Sequence, residues 1–165
     1  MTSYLLAGPG EEPVTLAEAK AWCRIDAGDE DALVTALIAA ARLHVESMTG
    51  RALIEQSWRL VLDGPKGRVV PLPLVPVMAV IAATADDAAI AVELQGDSVL
   101  LPAEGFRTLS IDYTAGYGGP TDVPQDLKQA LLALVAFWFE NRDATAHGAP
   151  MGFDRLIAGY RRVRL

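Results

Sequence analysis

The chain has 165 residues, of which 52% are hydrophobic and 21% are charged, and its formal net charge at pH 7 is −7. This length suits one domain, or one core with a substantial insertion, and the composition is too apolar for a wholly disordered chain. The acidic balance also argues against wrapping around nucleic-acid phosphates, which requires clustered Lys and Arg.

The sequence predicts neither a secretory signal nor a membrane-spanning helix. The first ten residues contain no basic stretch and only a very short apolar run. The longest charge-free run, 69–85, contains three prolines, which a regular spanning helix does not tolerate. The single Cys23 has no partner for an internal disulfide or a metal-binding pair, and we interpret it as a small core residue. The predicted class is a soluble, acidic protein of a reducing compartment.

Two helices are predicted in the first fifty residues. Thr15 followed by Glu18 is a capping box that begins the first helix. Acidic residues at 29–31 favour the start of the second helix, because carboxylates suit its positive end, and Gly50 favours its end. The apolar residues of the second helix form two stripes, so more than one face needs cover. These stripes are Leu33, Leu37, Ala40 and His44 on one side, and Val34, Ile38, Ala41, Val45 and Met48 on the other.

From residue 54 to residue 114 the apolar period changes to two. Frequent turn signals divide this stretch into about six short strands, which predicts a small antiparallel sheet, sandwich or barrel. The predicted strands are 57–62, 68–72, 77–84, 89–94, 98–101 and 107–113.

A third helix is predicted to follow Pro124, which suits a first helical turn, and to extend to about residue 142. No polar residue occurs from Ala130 to Phe139, so this helix should be buried nearly all round. A neighbouring subunit is a candidate for part of that cover. The residues predicted for subunit packing are Leu131, Val135, Phe137 and Trp138.

The C-terminal stretch differs in charge from the rest of the chain. Residues 141–165 contain five arginines and two acids, a net charge of +3, which leaves −10 for residues 1–140. Residues 144–150 predict a linker, and residues 152–160 predict a short helix. Two interpretations remain open, a solvated disordered end and a docking segment whose apolar anchors and arginines bind an acidic partner surface. The candidate docking residues are Phe153, Arg155, Leu156, Ile157, Tyr160, Arg161, Arg162, Arg164 and Leu165.

No motif makes a positive case for chemistry. The triplet 96–98 is similar to the nucleophile block of GDS-type esterases, but the downstream His147 lacks the preceding Asp, and the triplet predicts a hairpin turn. His44 and His147 show no metal-ligand spacing, and the acidic run 26–31 lacks the spacing of a calcium loop. We therefore predict no catalytic residue, no cofactor and no metal site. A small hydrolase that uses Ser98 is the enzyme alternative.

Several sequence blocks occur in an order and spacing typical of one family. They are PVTLAEAK at 13–20, DEDAL at 29–33, LIAAAR at 37–42, TGRAL at 49–53, the strand with Trp58, DYTAGYG at 112–118, VPxxLKQA at 123–130 and WFENR at 138–142. Together they resemble the head–tail connector, or adaptor, family of tailed phages and gene transfer agents. The resemblance covers about residues 13–142 and is weakest in the C-terminal stretch.

The resemblance implies an α+β fold in a single connector domain. Its parts would be a three-helix bundle core (13–53 and 121–142), a β-rich insertion (54–114) between helices 2 and 3, and an extended C-terminal docking tail (143–165). It also implies a structural, non-enzymatic role at the neck of a virion or particle, after a stage in the host cytoplasm.

The partners that the resemblance implies follow from that role. Copies of the chain would form a ring, typically a dodecamer, under the portal protein. The ring would join head to tail, contact the next connector (stopper) or a tail protein, and continue the DNA channel without specific DNA binding and without a membrane. The alternative is a stopper or tail-completion protein of the same assembly.

Overall fold

The computed structural model describes residues 1–26, 28–141 and 148–161. The chain divides into two compact units. The first, here called the β unit, comprises Met1–Gly10 and Ile54–Tyr117, and the second, the helical unit, comprises Glu11–Leu53 and Gly118–Leu165. The predicted docking residues Arg162, Arg164 and Leu165, and also His147, lie outside the described residues.

The described part of the β unit contains eight strands in two antiparallel sheets. The larger sheet has the order β1-β2-β8-β4-β5 and the smaller has the order β3-β7-β6. The strands are β1 (Thr2–Ala7), β2 (Gln56–Asp63), β3 (Val69–Pro71), β4 (Val77–Ala85), β5 (Ala88–Ala89), β6 (Glu93–Gln95), β7 (Ser98–Leu100) and β8 (Thr108–Ala115).

Alternate side chains of β8 form the centre of this unit. Leu109, Ile111 and Tyr113 are at most 1% exposed, and the buried Leu60 of β2 lies opposite Ile111. This alternation is the period-two pattern that the sequence predicted, since successive strand side chains point to opposite faces.

The opposite face of β2 and β8 carries an ion pair. Arg59 donates from Nε and Nη2 to the two carboxylate oxygens of Asp112, at 2.6 and 2.7 Å. These hydrogen bonds and the positive charge of Arg59 lower the pKa of Asp112 below its ordinary value.

The turn between β4 and β5 is fixed by an aspartate. Asp86 and Asp87 both have positive φ, 48° and 66°, as a two-residue type I′ hairpin turn requires. The Asp86 carboxylate accepts hydrogen bonds from the backbone N–H groups of Thr108 and Arg107, both at 2.9 Å. The bond from Thr108 is the main cause that lowers the pKa of Asp86. This carboxylate therefore ties the turn to the start of β8.

Gly116 follows β8 at a point where only glycine fits. Its φ is 140°, and a Cβ at this position would lie 2.5 Å from the carbonyl oxygen of Ile54. Its N–H donates to the carbonyl of Pro76 at 2.9 Å. The close approach of three backbone segments therefore explains this glycine.

The described part of the helical unit contains four α-helices. They are α1 (Leu16–Cys23), α2 (Asp31–Thr49), α3 (Gln125–Glu140) and α4 (Phe153–Ile157), with short 3₁₀ turns at Pro120–Asp122 and Ala158–Tyr160. The predicted capping box is present, because the Thr15 hydroxyl accepts from Glu18 N–H at 3.1 Å and Glu18 accepts from Thr15 N–H at 2.7 Å. Gly50 ends α2 in the left-handed conformation, as predicted.

The core of the helical unit lies among α1, α2 and α3, which contact one another pairwise. Of the two apolar stripes predicted on α2, the stripe with Val34, Ile38, Ala41 and Val45 is buried, while its last member, Met48, is 40% exposed. The other stripe is exposed or half-buried along its length. The helix therefore buries one apolar stripe and leaves the second partly open.

A charged network is buried beside that core. Arg42 donates from Nε to Glu12 at 2.8 Å and from Nη1 to Glu46 at 3.0 Å. Glu46 also accepts from the backbone N–H of Leu53 at 2.9 Å. Burial lowers the pKa of Arg42, but the hydrogen bonds and charges of the two glutamates outweigh it and hold this pKa above its ordinary value. The network joins three chain segments at the end of α2.

The predicted α+β class is confirmed, with three differences in detail. The described residues form eight strands rather than about six, and their four α-helices are the three predicted for the core and the short one predicted at 152–160. Strand β1 was not predicted at all. Residues 153–160 are not extended, because they form α4 and a 3₁₀ turn whose apolar side chains Phe153 and Ile157 are buried.

Candidate assembly surfaces

The C-terminal segment, defined here as residues 148–161, packs on its own chain. Phe153 is 2% exposed and Ile157 is fully buried. The indole Nε1 of Trp138 donates to the carbonyl of Gly148 at 2.9 Å. The ring of His44 lies 5.7 Å, between centroids, from the rings of both Trp138 and Phe153. Side chains of α2 and α3 thus hold this segment in place.

A second set of contacts holds the end of the segment. Arg51 donates from Nε to the carbonyl of Tyr160 at 3.0 Å, and its guanidinium lies 5.5 Å from the centre of the Tyr160 ring. Arg161 forms an ion pair with Asp154. One arginine of the basic end is therefore partly neutralised within the segment.

These contacts divide the predicted docking set into buried and exposed residues. Phe153 and Ile157 are core residues of the helical unit and are not available as anchors while the fold persists. Leu156 and Tyr160 are half-buried, whereas Arg155 and Arg161 are exposed. Within the described part of the docking set, Arg155 and Arg161 are therefore the residues that a partner can reach most readily while the segment stays folded.

The residues predicted for subunit packing differ in how much surface they leave for a neighbour. Leu131 and Val135 are fully buried and Trp138 is 8% exposed, all within one chain. The chain itself therefore covers one side of the apolar run of α3, while the rest of the run is half-buried. Phe137 is half-buried, and it is the one member of the set with surface left for a neighbour.

Large apolar side chains are also exposed outside the residues predicted for docking and subunit packing. In the sequence, the only sign of such a surface at β1 is a short apolar run without charge, which does not by itself predict a strand. In the β unit the exposed residues are Met1, Tyr4, Leu5, Leu6, Val69, Met78 and Ile81, and in the helical unit they are Trp22, Leu43, Met48 and Met151.

Among the described helices, α2 alone is long and apolar enough to cross a membrane by length and composition. A core helix of a soluble protein has the same composition. The buried stripe that includes Val34 and Ile38, together with the paired Arg42 and Glu46, fits a core helix better. We therefore interpret α2 as a core helix.

The residues of the esterase-like triplet 96–98 form a turn and the start of a strand. Asp97 accepts hydrogen bonds from Val77 N–H at 3.1 Å and, through its carbonyl, from Leu72 N–H at 3.0 Å. Gly96 takes a φ of 60° in the turn between β6 and β7, and Ser98 begins β7. Among the described residues, no group of three or more His, Cys, Asp or Glu side chains is placed to hold a metal ion.

The surroundings of the single thiol disfavour its ionised form. Cys23 is half-buried in α1, and burial, together with the negative charge of Glu140, raises the pKa of its thiol. Because the thiolate is the nucleophile, a raised pKa disfavours redox or catalytic chemistry at this residue.

Comparison with known proteins identifies the family. The model of the family described as "Head completion protein" matches residues 12–153. No curated protein matches the sequence significantly.

Solved structures give whole-chain matches. A chain in the virion of a native gene transfer agent (GTA) particle is 28% identical, with a TM-score of 0.84. A chain in the neck of an empty GTA particle, computed with C6 symmetry, gives the same values. One in the neck of a native GTA particle, computed with C12 symmetry, is 27% identical with a TM-score of 0.83. Each match covers 100% of this chain and 97% of the other. Since the family model spans most of the sequence, the chain belongs to the head completion protein family, and the predicted connector resemblance is confirmed.

Proposed function

We propose that this chain is a structural subunit of the neck of a phage-like particle, where copies of it form a ring that joins the head to the tail. The observation that carries the proposal is the likeness of the whole chain to chains in GTA necks, with TM-scores of 0.84 and 0.83 and full coverage of this chain. The likeness includes both the β unit and the helical unit, so it does not rest on a common small motif. A structural role also agrees with the positions of Asp97, which accepts backbone hydrogen bonds, and Ser98, which begins β7.

The copy number proposed for the ring is twelve. The similar chains lie in necks whose structures were computed with C12 and C6 symmetry, and a twelvefold ring is compatible with both. The net charge of −10 on residues 1–140 supports a ring whose lumen lets DNA pass, because like charges limit adhesion to the phosphates.

Electron microscopy of particles tests this function. Deletion of the gene is expected to give DNA-filled or leaking heads that lack tails, and the wild-type neck should contain twelve copies of density that fit the fold. Fully tailed particles after deletion would contradict the proposal. Density on the tail side of a separate ring would favour the stopper alternative.

The portal protein is the partner we propose for the basic end of the chain. Docking would use the C-terminal segment as it is folded, with the exposed Arg155 and Arg161 and the arginines beyond it facing an acidic surface. Release of the segment would instead expose Phe153 and Ile157. Burial of each such side chain stabilises the fold by about 1.5–3 kcal/mol, so release would cost roughly 3–6 kcal/mol.

A charge-reversal experiment tests the docking. Deleting residues 150–165 would remove Phe153 and Ile157 from the core, so it would not separate docking from folding. Replacing Arg155, Arg162 and Arg164 by Glu leaves these core residues in place. We expect binding to purified portal oligomers to fall by at least about tenfold at low salt, with the loss shrinking as salt rises.

The control for this experiment is a charge change elsewhere. Lys66→Glu alters an exposed lysine of the β unit. Unchanged portal affinity in the triple variant, or an equal loss in the Lys66 control, would refute docking through the basic end.

A further inference from the structure

The larger sheet of the β unit has two edges that are unpaired in the described chain and that carry exposed apolar side chains. At one edge, β1 pairs with β2 on its inner side, and among the described residues no strand pairs with its outer side. At the other edge, β5 pairs only with Thr84 and Ala85 of β4. The adjoining stretch Met78–Ala82 therefore has no strand on its outer side in the described chain.

Exposed apolar side chains of this unit concentrate at these edges. Of the seven large apolar side chains that are exposed in the β unit, only Val69 lies elsewhere. The other six are Met1, Tyr4, Leu5 and Leu6 at the β1 edge and Met78 and Ile81 at the β4 edge, with Ile81 61% exposed.

Neither edge is protected by charge or proline, although β1 has a register shift between Leu5 and Ala7, and β4 has two within Val77–Ala82. Natural edge strands are blunted by Lys, Pro or inward charges, because their free N–H and C=O groups are templates for another strand. Residues 1–7 contain no charged residue and no proline, and neither does Met78–Ala82. Such edges are expected where a partner strand covers them.

The topology also makes the two edges complementary. A ring with cyclic symmetry needs two different surfaces on each subunit, one for each neighbour. The order β1-β2-β8-β4 places these edges on opposite sides of one sheet. Because its four strands alternate in direction, a neighbouring sheet added in the same orientation would bring β4 antiparallel to β1. Pairing across copies would then continue the all-antiparallel pattern.

We infer that β1 of one copy pairs with the Met78–Ala82 edge of β4 in the next copy, so that the larger sheets continue around the ring. This inference rests on the proposed ring and identifies the contact between neighbouring subunits in it. The partner is a second copy of this chain, because the two edges match each other in polarity, position and strand direction.

Engineered disulfides in purified particles test the pairing. In a Cys23→Ser background, Ile81→Cys is combined in turn with Tyr4→Cys, Leu5→Cys and Leu6→Cys. The two edges of one copy are three strand spacings apart, about 14 Å, which exceeds the Cα separation of about 7 Å that a disulfide allows. Any crosslink must therefore join two copies.

The expected result is a ladder of covalent multimers on a non-reducing gel for at least one pair, extending beyond the dimer. No ladder from any of the three pairs would overturn the inference, as would dimers from the β1 cysteines alone, which indicate β1–β1 pairing. Replacing Ile81→Cys by Val69→Cys, at a similarly exposed site on β3, is the control and should give no ladder.

Two further measurements separate this inference from the proposed function. In a map of the wild-type neck, Cα atoms of β1 and the neighbouring β4 should lie about 5 Å apart, as in paired strands, and a separation above about 8 Å overturns the pairing. Ile81→Lys should reduce incorporation into particles about tenfold or more, whereas Val69→Lys should not. A chain that is absent from wild-type particles would refute the proposed function itself.

Discussion

Removal of Arg42 should destabilise the helical unit more than removal of any exposed charge. The side chains of Arg42 and Glu46 are 10% and 11% exposed, whereas Glu12 is 29% exposed. Arg42→Met keeps the length and packing of the alkyl stem but removes the positive charge that pairs with the buried Glu46 carboxylate, which also accepts from Leu53 N–H. Breaking a buried ion pair in this way costs about 3–5 kcal/mol.

The control variants distinguish burial from simple loss of charge. Glu12→Gln removes a partly hydrated partner and should cost less than about 1 kcal/mol. Arg42→Met combined with Glu46→Gln leaves no buried charge and retains an acceptor for Leu53 N–H, so it should recover about half of the loss or more.

Urea unfolding followed by circular dichroism at 222 nm measures these effects, because that signal follows the helices. A domain of this size is stable by about 5–15 kcal/mol, so a loss of 3–5 kcal/mol would shift the midpoint strongly. The reasoning is refuted if Arg42→Met lies within about 1 kcal/mol of the wild type. It is also refuted if the double variant is no more stable than Arg42→Met.

Three further predictions concern backbone space, acid stability and thiol reactivity. Gly116→Ala should lower the free energy of unfolding by about 2–3 kcal/mol or more, because of its φ and a backbone clash, whereas Gly96→Ala, in open space, should cost about 1 kcal/mol. The lowered pKa values of Asp86 and Asp112 mean that their stabilisation is present above the unfolded pKa of about 3.8 and is lost as pH falls through the lower folded values. The free energy of unfolding should therefore fall less steeply with decreasing pH in Asp112→Asn than in the wild type. An unchanged slope against pH would contradict this. Iodoacetamide at pH 8 should modify Cys23 more slowly in the native chain than in urea, and equal rates would contradict its raised pKa.

Elements with a local signal were predictable. The capping box at Thr15 and Glu18 satisfies its own N–H groups, and the alternation of Leu109, Ile111 and Tyr113 reports directly which face of β8 is buried. In both places the pattern and its cause lie within a few residues, so no knowledge of the rest of the chain was needed.

Strand β1 was not predictable in this way because its pairing is long-range. Leu5 lies opposite Trp58, more than fifty residues later in the chain. The stretch has no cap, and six residues that are exposed on both faces give no polar alternation. Only the sheet topology shows that β1 is the terminal strand on one side of the larger sheet.

The C-terminal segment shows a different limit, because its local pattern predicts a short helix but does not tell what covers the apolar face of that helix. Phe153 and Ile157 lie four residues apart, so a short helix with one apolar face followed from the sequence. That face can be covered by the same chain or by another protein, and both give the same pattern. His44 and Trp138, which cover it here, are distant in sequence. Phe153 and Ile157 of the predicted docking set therefore stabilise the subunit, and in the proposed docking the arginines would contact the partner. Portal affinity should accordingly depend more on salt than on apolar area, which makes the charge-reversal variants a sharper test of docking than truncation.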